Sequence, residues 1–266
     1  MCRLLGIASS EPTNFQIVLR ESPRSLAALS REHRDGWGIA IFEDEHGWRV
    51  DKSVVCAGED ERFHELALGA RGEMLICHVR RKTVGATSLV NTHPFENGRW
   101  VFAHNGTVAH TDWVRSQTST ERLAEMGGET DSELLFAWLL TKLDEAGAAD
   151  VPASPATDRV IGHAVRTARE RADFGAFTFL LSDGVTTYAH RHGRTLYLLE
   201  RTPEDPVRVR RMSRDGSAVM TPWSQHRIAV FVASERMTEE PWQEIEEGML
   251  LRVERAPVPH FRLVAA

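Results

Sequence analysis

Met1-Cys2-Arg3-Leu4-Leu5-Gly6-Ile7-Ala8-Ser9 opens the chain and sets a reactive side chain directly against a short apolar run. Leu4 to Ala8 reads as a buried strand, which holds the start of the chain in a core instead of letting it fray. Cys2 follows Met1 directly, and its side chain is small enough for cotranslational removal of the methionine. A trimmed chain begins with a cysteine whose α-amine titrates near ~7.7–8.0 and whose thiol titrates near ~8.5. One residue then carries a nucleophile and a general base within reach of each other. A small residue at position 2 is common in itself, so the rest of the chain carries the decision.

The 266 residues fit one large domain or two small ones. With 42% hydrophobic and 26% charged residues, the chain has the balance of a globular protein able to bury a sizeable core. A net charge of −6 without a long run of one sign speaks against a nucleic-acid surface. Arg208, Arg210 and Arg211 are dense, but Glu204 and Asp205 precede them, which reads as a solvated strand edge. Arg3 is followed by only a few apolar residues before Glu11 and Pro12, so no signal peptide is expected. No window approaches the ~20 apolar residues of a membrane span. Cys2, Cys56 and Cys77 leave one cysteine out of any pairing and lack zinc-site spacing, so no metal is expected. Cys56 and Cys77 lie in apolar, strand-like runs and read as buried small hydrophobes. A reduced, cytoplasmic setting fits this usage.

After the first strand, Arg24–Arg31 reads as helical. His33-Arg34-Asp35-Gly36-Trp37-Gly38 then leads into Ile39–Phe42, with Trp37 either packing at a hairpin entry or forming a pocket wall. Trp48–Ala57 is the expected partner strand, and residues 60–69 form a short amphipathic helix. Met74–Val79 is an apolar strand ending in Arg80 and Arg81, followed by a polar loop over Lys82–Ser88. Trp100–His104 is another buried strand, stopping at Asn105-Gly106-Thr107, where Asn-Gly is also a strong hairpin signal. Thr130 and Glu133 make a capping-box pattern ahead of the helix through Leu134–Leu140. Ala146–Asp158 is a loop where a domain boundary could fall, and residues 159–172 are helical. Phe174–Ser182 and Val185–Arg191 form a hairpin, Arg194–Arg201 adds a third strand, and residues 203–226 are rich in loops. Arg227–Ser234 and Met249–Glu254 complete the strands. Strands, then helices, then strands predict an α+β chain of two mostly antiparallel sheets packed together with helices outside. With no Gly-rich phosphate loop, neither a nucleotide nor another cofactor is implied.

Five motifs fall in order: Cys2 after Met1, His78-Val79-Arg80 with Thr83 and Gly85, Asn91-x-His93-Pro94, His104-Asn105-Gly106, and Thr130-Asp131-Ser132-Glu133. Each is weak alone, but together the series resembles the class II glutamine amidotransferase domain of the N-terminal-nucleophile hydrolases. The resemblance implies an αββα sandwich over residues 2–266 as a single domain, with Met1 removed. It implies that Cys2 attacks the γ-carbonyl of glutamine or a γ-glutamyl amide and forms a thioester. Arg80 is then expected to pair with the substrate α-carboxylate and Asp131 with its α-ammonium. The Asn105 amide and the Gly106 N–H form the oxyanion hole, and Thr83, Gly85 and His93 line or support the pocket.

Arg81 and Val84 stand where the large synthases of this family commonly carry Trp and His. With the Asp-Gly-Trp-Gly tract they look more like the small standalone branch, which includes the γ-glutamyl hydrolase of ergothioneine biosynthesis. Residues 151–266 contain no recognisable acceptor domain. The chain therefore either hydrolyses a γ-glutamyl amide itself or passes ammonia to a separate synthase subunit. In the first case Trp37 and the side chains near Arg81 are the expected walls of the leaving-group pocket. A non-catalytic γ-glutamyl-binding protein would not need Cys2 or Asn105-Gly106, and a thiol redox protein would need a Cys-x-x-Cys pair that is absent.

Overall fold

In the computed structural model, which describes residues 2–203 and 226–266, the opening apolar run becomes β1 (Arg3–Asn14). It lies at the centre of a seven-stranded sheet. On one side are β10 (Ala229–Ala233), β9 (Tyr197–Arg201) and β11 (Gln243–Glu244). On the other are β4 (Arg71–Val79), β2 (Trp37–Glu43) and the edge strand β3 (Gly47–Ser53). A second sheet has the order β13 (His260–Val264), β12 (Leu250–Glu254), β8 (Thr186–His190), β7 (Gly175–Ser182), β6 (Trp100–Val108) and β5 (Phe95–Asn97). The paired strands run antiparallel throughout.

The period-two alternation of strands explains why these runs are apolar on both faces. On β1, Leu4 and Ala8 face the second sheet and meet a layer that includes Ala103 and Leu180, while Leu5 and Ile7 face outward. The outward layer is covered by α1 (Leu26–Leu29) and α2 (Glu61–Gly69), through residues such as Leu26, Phe63 and Ala67. On the far side, Phe102, Phe177 and Phe179 lie beneath α5 (Asp131–Glu145) and α6 (Pro155–Arg169). The short helices α3 (Thr111–Ser116) and α4 (Thr120–Ala124) lead into α5. Three apolar layers between four layers of structure make an αββα sandwich. No helix among the described residues is long and apolar enough to cross a membrane.

Several local expectations give way. The strand after Trp48 ends at Ser53, so Cys56 lies in a turn, buried with its thiol against the Ser30 carbonyl. The helix expected over Arg24–Arg31 is one α-turn followed by a 3-10 turn at Ser30–Glu32. β6 does not stop at Asn105-Gly106 but runs through to Val108, because β7 pairs with it along that whole length and overrides the turn preference. The strand after the β7–β8 hairpin does not extend that hairpin: β9 crosses to the other sheet and pairs with β10. A further strand, β13, follows the one expected to be last. Arg208, Arg210 and Arg211 lie outside the described residues.

Asp158, in the first turn of α6, ties that helix to the end of the chain. Its Oδ1 accepts from Tyr188 Oη at 2.6 Å and from Arg252 Nη1 at 2.7 Å, and Arg262 donates to Oδ2. Burial works to raise the carboxyl's pKa, but these donors outweigh it and hold it below the ordinary value. Removing Asp158 leaves the buried Arg252 with Glu254 as its remaining counter-charge and the buried Tyr188 hydroxyl without its acceptor, so Asp158→Ala should cost about 1–3 kcal/mol in urea unfolding. Arg262→Ala, from a half-exposed side chain, should cost about 1 kcal/mol or less. Equal costs would show that the ion cluster does not anchor the helix.

Candidate active site

The register of β1 on β4 builds the site. Arg3 pairs with Val79, so the residue before β1 lies beside the residues after β4. The Arg81 N–H donates to Cys2 Sγ at 3.3 Å, and the Cys2 thiol reaches the Arg81 carbonyl at 3.4 Å. Behind Cys2 the strand is clamped: Leu4 N–H donates to Ser234 Oγ, Ser234 N–H returns to the Leu4 carbonyl (both 3.0 Å), and Arg3 pairs with Glu235 at 3.1 Å. Burial pushes the Cys2 thiol up, while the Arg81 N–H and the charges of Arg80 and Arg3 pull it back.

Arg80 is 3% exposed and has no carboxylate within ion-pair distance among the described residues. Its guanidinium instead donates to two carbonyls of the following loop, Val84 (3.1 Å) and Ala86 (3.2 Å). Burial lowers its pKa, against the pull of Cys2 and Asp35, but a guanidinium stays charged. The loop is pinned elsewhere as well: Lys82 N–H donates to Asp35, Ala86 N–H to Glu129, and Asn91 Nδ2 to the Ala86 carbonyl.

The opposite wall comes from β6 and the start of α5. Thr130 caps α5 by accepting the Glu133 N–H, but Glu133 does not complete a capping box, because its carboxylate accepts from Gly127 and Gly128 instead. Asp131 is buried, and its Oδ2 accepts the Val108 N–H at 2.7 Å; Oδ1 has no hydrogen-bond partner among the described residues. That bond also orients the edge of β6. Successive N–H groups point to opposite edges of a strand, so the Gly106 N–H points the same way as that of Val108, away from β7. Phe177, opposite Gly106, sends its own N–H to the His192 carbonyl, as expected for a pair without mutual hydrogen bonds. β5 covers β6 only as far as Phe102, so no strand takes the Gly106 donor. A side chain at Gly106 would lie 1.9 Å from the Ala176 carbonyl, so only glycine fits.

Cys2, Arg80, Thr83, His93, Gly106 and Asp131 share one cleft with only about 20 Å³ of free space. Gly85 stands behind it, against Asn91 and Thr130. Asn105 is buried and does not line the cleft; alternation from His104 puts it on the inter-sheet face, the side that Leu4, and two residues back Cys2, takes on β1. Trp37 is not a pocket wall. It is fully buried in the outer layer, its indole N–H on Asp60 at 2.9 Å and its ring edge-on to Phe63. The Asp-Gly-Trp-Gly tract matters instead through Gly38, where a Cβ would fall 2.1 Å from the His93 carbonyl; the glycine lets the His93–Pro94 segment cross β2.

Two contributors were not legible as site residues. The Arg81 N–H is a backbone group and leaves no trace in side-chain identity. His104 Nε2 faces the Ala176 carbonyl and so carries the proton, leaving Nδ1 to accept from Ser132 Oγ at 2.9 Å. Burial lowers its pKa against the pull of Asp131, so it is a neutral link between β6 and α5. His78 and His93 pack with ring centroids 4.2 Å apart, and neither ring has a hydrogen-bond partner among the described residues.

The model of the class II glutamine amidotransferases matches residues 1–261. The chain is 30% identical to the protein MJ1515 of Methanocaldococcus jannaschii, over 94% of this chain and 68% of that one. It is 33% identical, over 41% of this chain and 50% of that one, to the γ-glutamyl-hercynylcysteine sulfoxide hydrolase of Mycobacterium tuberculosis. Among solved structures, the predicted glutamine amidotransferase of Pseudomonas aeruginosa superposes with a TM-score of 0.64 at 26% identity, covering 99% of each chain.

The buried histidines set an acid limit on stability. Burial holds His33 at about 4 and His78 at about 3, below the ordinary 6.5. Between those values and 6.5 the unfolded chain binds protons that the folded chain refuses, so stability falls as pH falls, by about 1.4 kcal/mol per unit for each such group. In His78→Gln the loss of unfolding free energy between pH 6 and pH 4.5 should shrink by about 1–2 kcal/mol. The same loss in both proteins would contradict this.

Proposed function

Since the chain belongs to the class II glutamine amidotransferases, we propose that it cleaves a γ-glutamyl amide through Cys2 as an N-terminal nucleophile, with residues 2–266 as one catalytic domain. Met1 is removed, and the freed α-amine takes the thiol proton as sulfur attacks the γ-carbonyl. The oxyanion is held by the Asn105 side-chain amide and the Gly106 N–H. The C–N bond breaks, the departing amine or ammonia takes the proton back from the α-ammonium, and a γ-glutamyl thioester remains. Water adds to the thioester, releasing glutamate and restoring the thiol.

The observation that carries this reading is the convergence of Cys2, Arg80, Gly106 and Asp131 on one cleft from four separate elements. The charged pair suits an amino-acid head group, because each partner is buried yet has capacity left. Arg80 spends its fork on two neutral carbonyls, which a substrate α-carboxylate would replace with charge-assisted bonds about twice as strong. That exchange frees the loop after Arg80 and opens a cleft too small for the substrate as it stands. Asp131 offers Oδ1 to the α-ammonium while Val108 fixes Oδ2. Thr83 and His93 line the pocket and Gly85 backs it.

The leaving group meets Arg81 and Val84, which with Thr83 are the exposed members of the cleft. The relative from M. tuberculosis hydrolyses a γ-glutamyl compound larger than glutamine by its name, which favours a substituted γ-amide here. Kinetics test the scheme. Arg80→Ala and Asp131→Ala should each raise KM by about tenfold or more, and Asn105→Ala should lower kcat by about 10²–10³. Some γ-glutamyl amine or γ-glutamyl-cysteine derivative should exceed glutamine in kcat/KM. Unchanged kinetics in Asp131→Ala would reduce that residue to a helix-start group. Glutamine winning throughout, with activity rising only beside a co-expressed synthase, would make the chain a subunit that supplies ammonia.

A further inference from the structure

A larger cavity, about 250 Å³, lies beside the cleft at the open edge of the sandwich, between β3 and β5 and under the start of α5. Asn91 stands in the partition between them: its Oδ1 accepts the Glu129 N–H at 3.0 Å and its Nδ2 reaches Ala86. Most charges around the cavity are already used. Arg122 holds Asp144 through Nε and Nη2, and Asn97 and Glu125 through Nη1, at 2.7–2.8 Å. Glu133 spends one oxygen each on the Gly127 and Gly128 N–H groups at 2.8 Å.

Two charges remain. Lys52 projects from β3, and its Nζ has no hydrogen bond or carboxylate within 4 Å among the described residues; it lies over the Phe95 ring, 5.5 Å from the centroid. Burial lowers its pKa, with Glu133 and Glu96 pulling the other way. Glu96, at the exposed rim, accepts no hydrogen bond among the described residues, and burial raises its pKa while Lys52 opposes. The lining also includes the apolar side chains of Val90, Phe95, Met126, Phe136 and Leu140. A cation and an anion that are not paired with each other, in a cavity that also offers apolar side chains, fit a small zwitterion with a hydrophobic side chain. The volume lies below the roughly 300–1,000 Å³ of sites for drug-sized ligands and suits a single amino acid.

We propose that this cavity is a second small-molecule site that takes an apolar α-amino acid, with its carboxylate on Lys52, its ammonium on Glu96 and its side chain against Phe95 and Met126. The site does not depend on the chemistry assigned to Cys2. Calorimetric titration of the full chain with leucine tests it, against 4-methylpentanoate (no amine) and isoamylamine (no carboxylate). Asp131→Asn separates the cleft from the cavity. Leucine should bind the wild type and Asp131→Asn alike, and more tightly than either control. Lys52→Met and Glu96→Gln should each weaken it by about tenfold or more, the loss of one charge-assisted contact. The rim position of Glu96 keeps the second variant informative if the first does not fold. Leucine binding lost in Asp131→Asn but kept in Lys52→Met or Glu96→Gln would place the amino acid in the cleft and overturn the proposal. So would equal binding of the controls, or no binding of leucine at millimolar concentration.

Discussion

The antiparallel pairing of β1 with β4 is the contact on which the site depends. Its register sets Arg3 against Val79, so Cys2 and Arg81 meet although they are 79 positions apart. A slip of one residue would exchange the faces of β1, turning Leu4 out of the inter-sheet layer and Leu5 into it. The apolar run after Cys2 therefore fixes the register, and the register fixes where Cys2 lies. Ser234 and Glu235, at the end of β10, close the strand from the other side, so the start of the chain is held by both neighbours.

The electrostatics of the cleft follow from burial. Arg80 keeps its charge with only carbonyls for company, a poor exchange for lost water unless a carboxylate arrives. The histidines around it take the opposite course: His33, His78, His93 and His104 are buried and driven toward the neutral form. Arg80 thus keeps its charge near the thiol, where a thiolate or a substrate carboxylate gains most. Asp131 faces it at the positive end of a fifteen-residue helix.

Much of this was legible because it rests on periodicity and on ordered motifs. The two-face apolar runs at Leu4–Ala8 and Met74–Val79 imply strands buried on both sides, and hence helices outside two sheets. Cys2, Arg80, Gly106 and Asp131, named from their motifs, meet in space. What escaped the sequence depends on pairing. Asn105-Gly106 carries a turn signal that the full-length β6–β7 ladder overrides. Trp37 stands next to Gly38, yet alternation puts the two on opposite faces, and only the glycine touches the His93 segment. β9 has the composition of a hairpin continuation, and nothing local says that it changes sheet. Lys52 reads as an ordinary solvated charge on an edge strand; its isolation appears only once β5 and α5 are in place.

The central claim is that Cys2, as the first residue, carries the γ-glutamyl group between the two half-reactions. Intact-mass and peptide mass spectrometry of protein mixed with a γ-glutamyl amide and quenched rapidly in acid tests it most directly. The account predicts a chain that begins at Cys2 and a single γ-glutamyl adduct on that residue's peptide, absent from Cys2→Ala. Full activity in protein that keeps Met1, or an adduct on Cys56, Cys77 or any other residue, would contradict it.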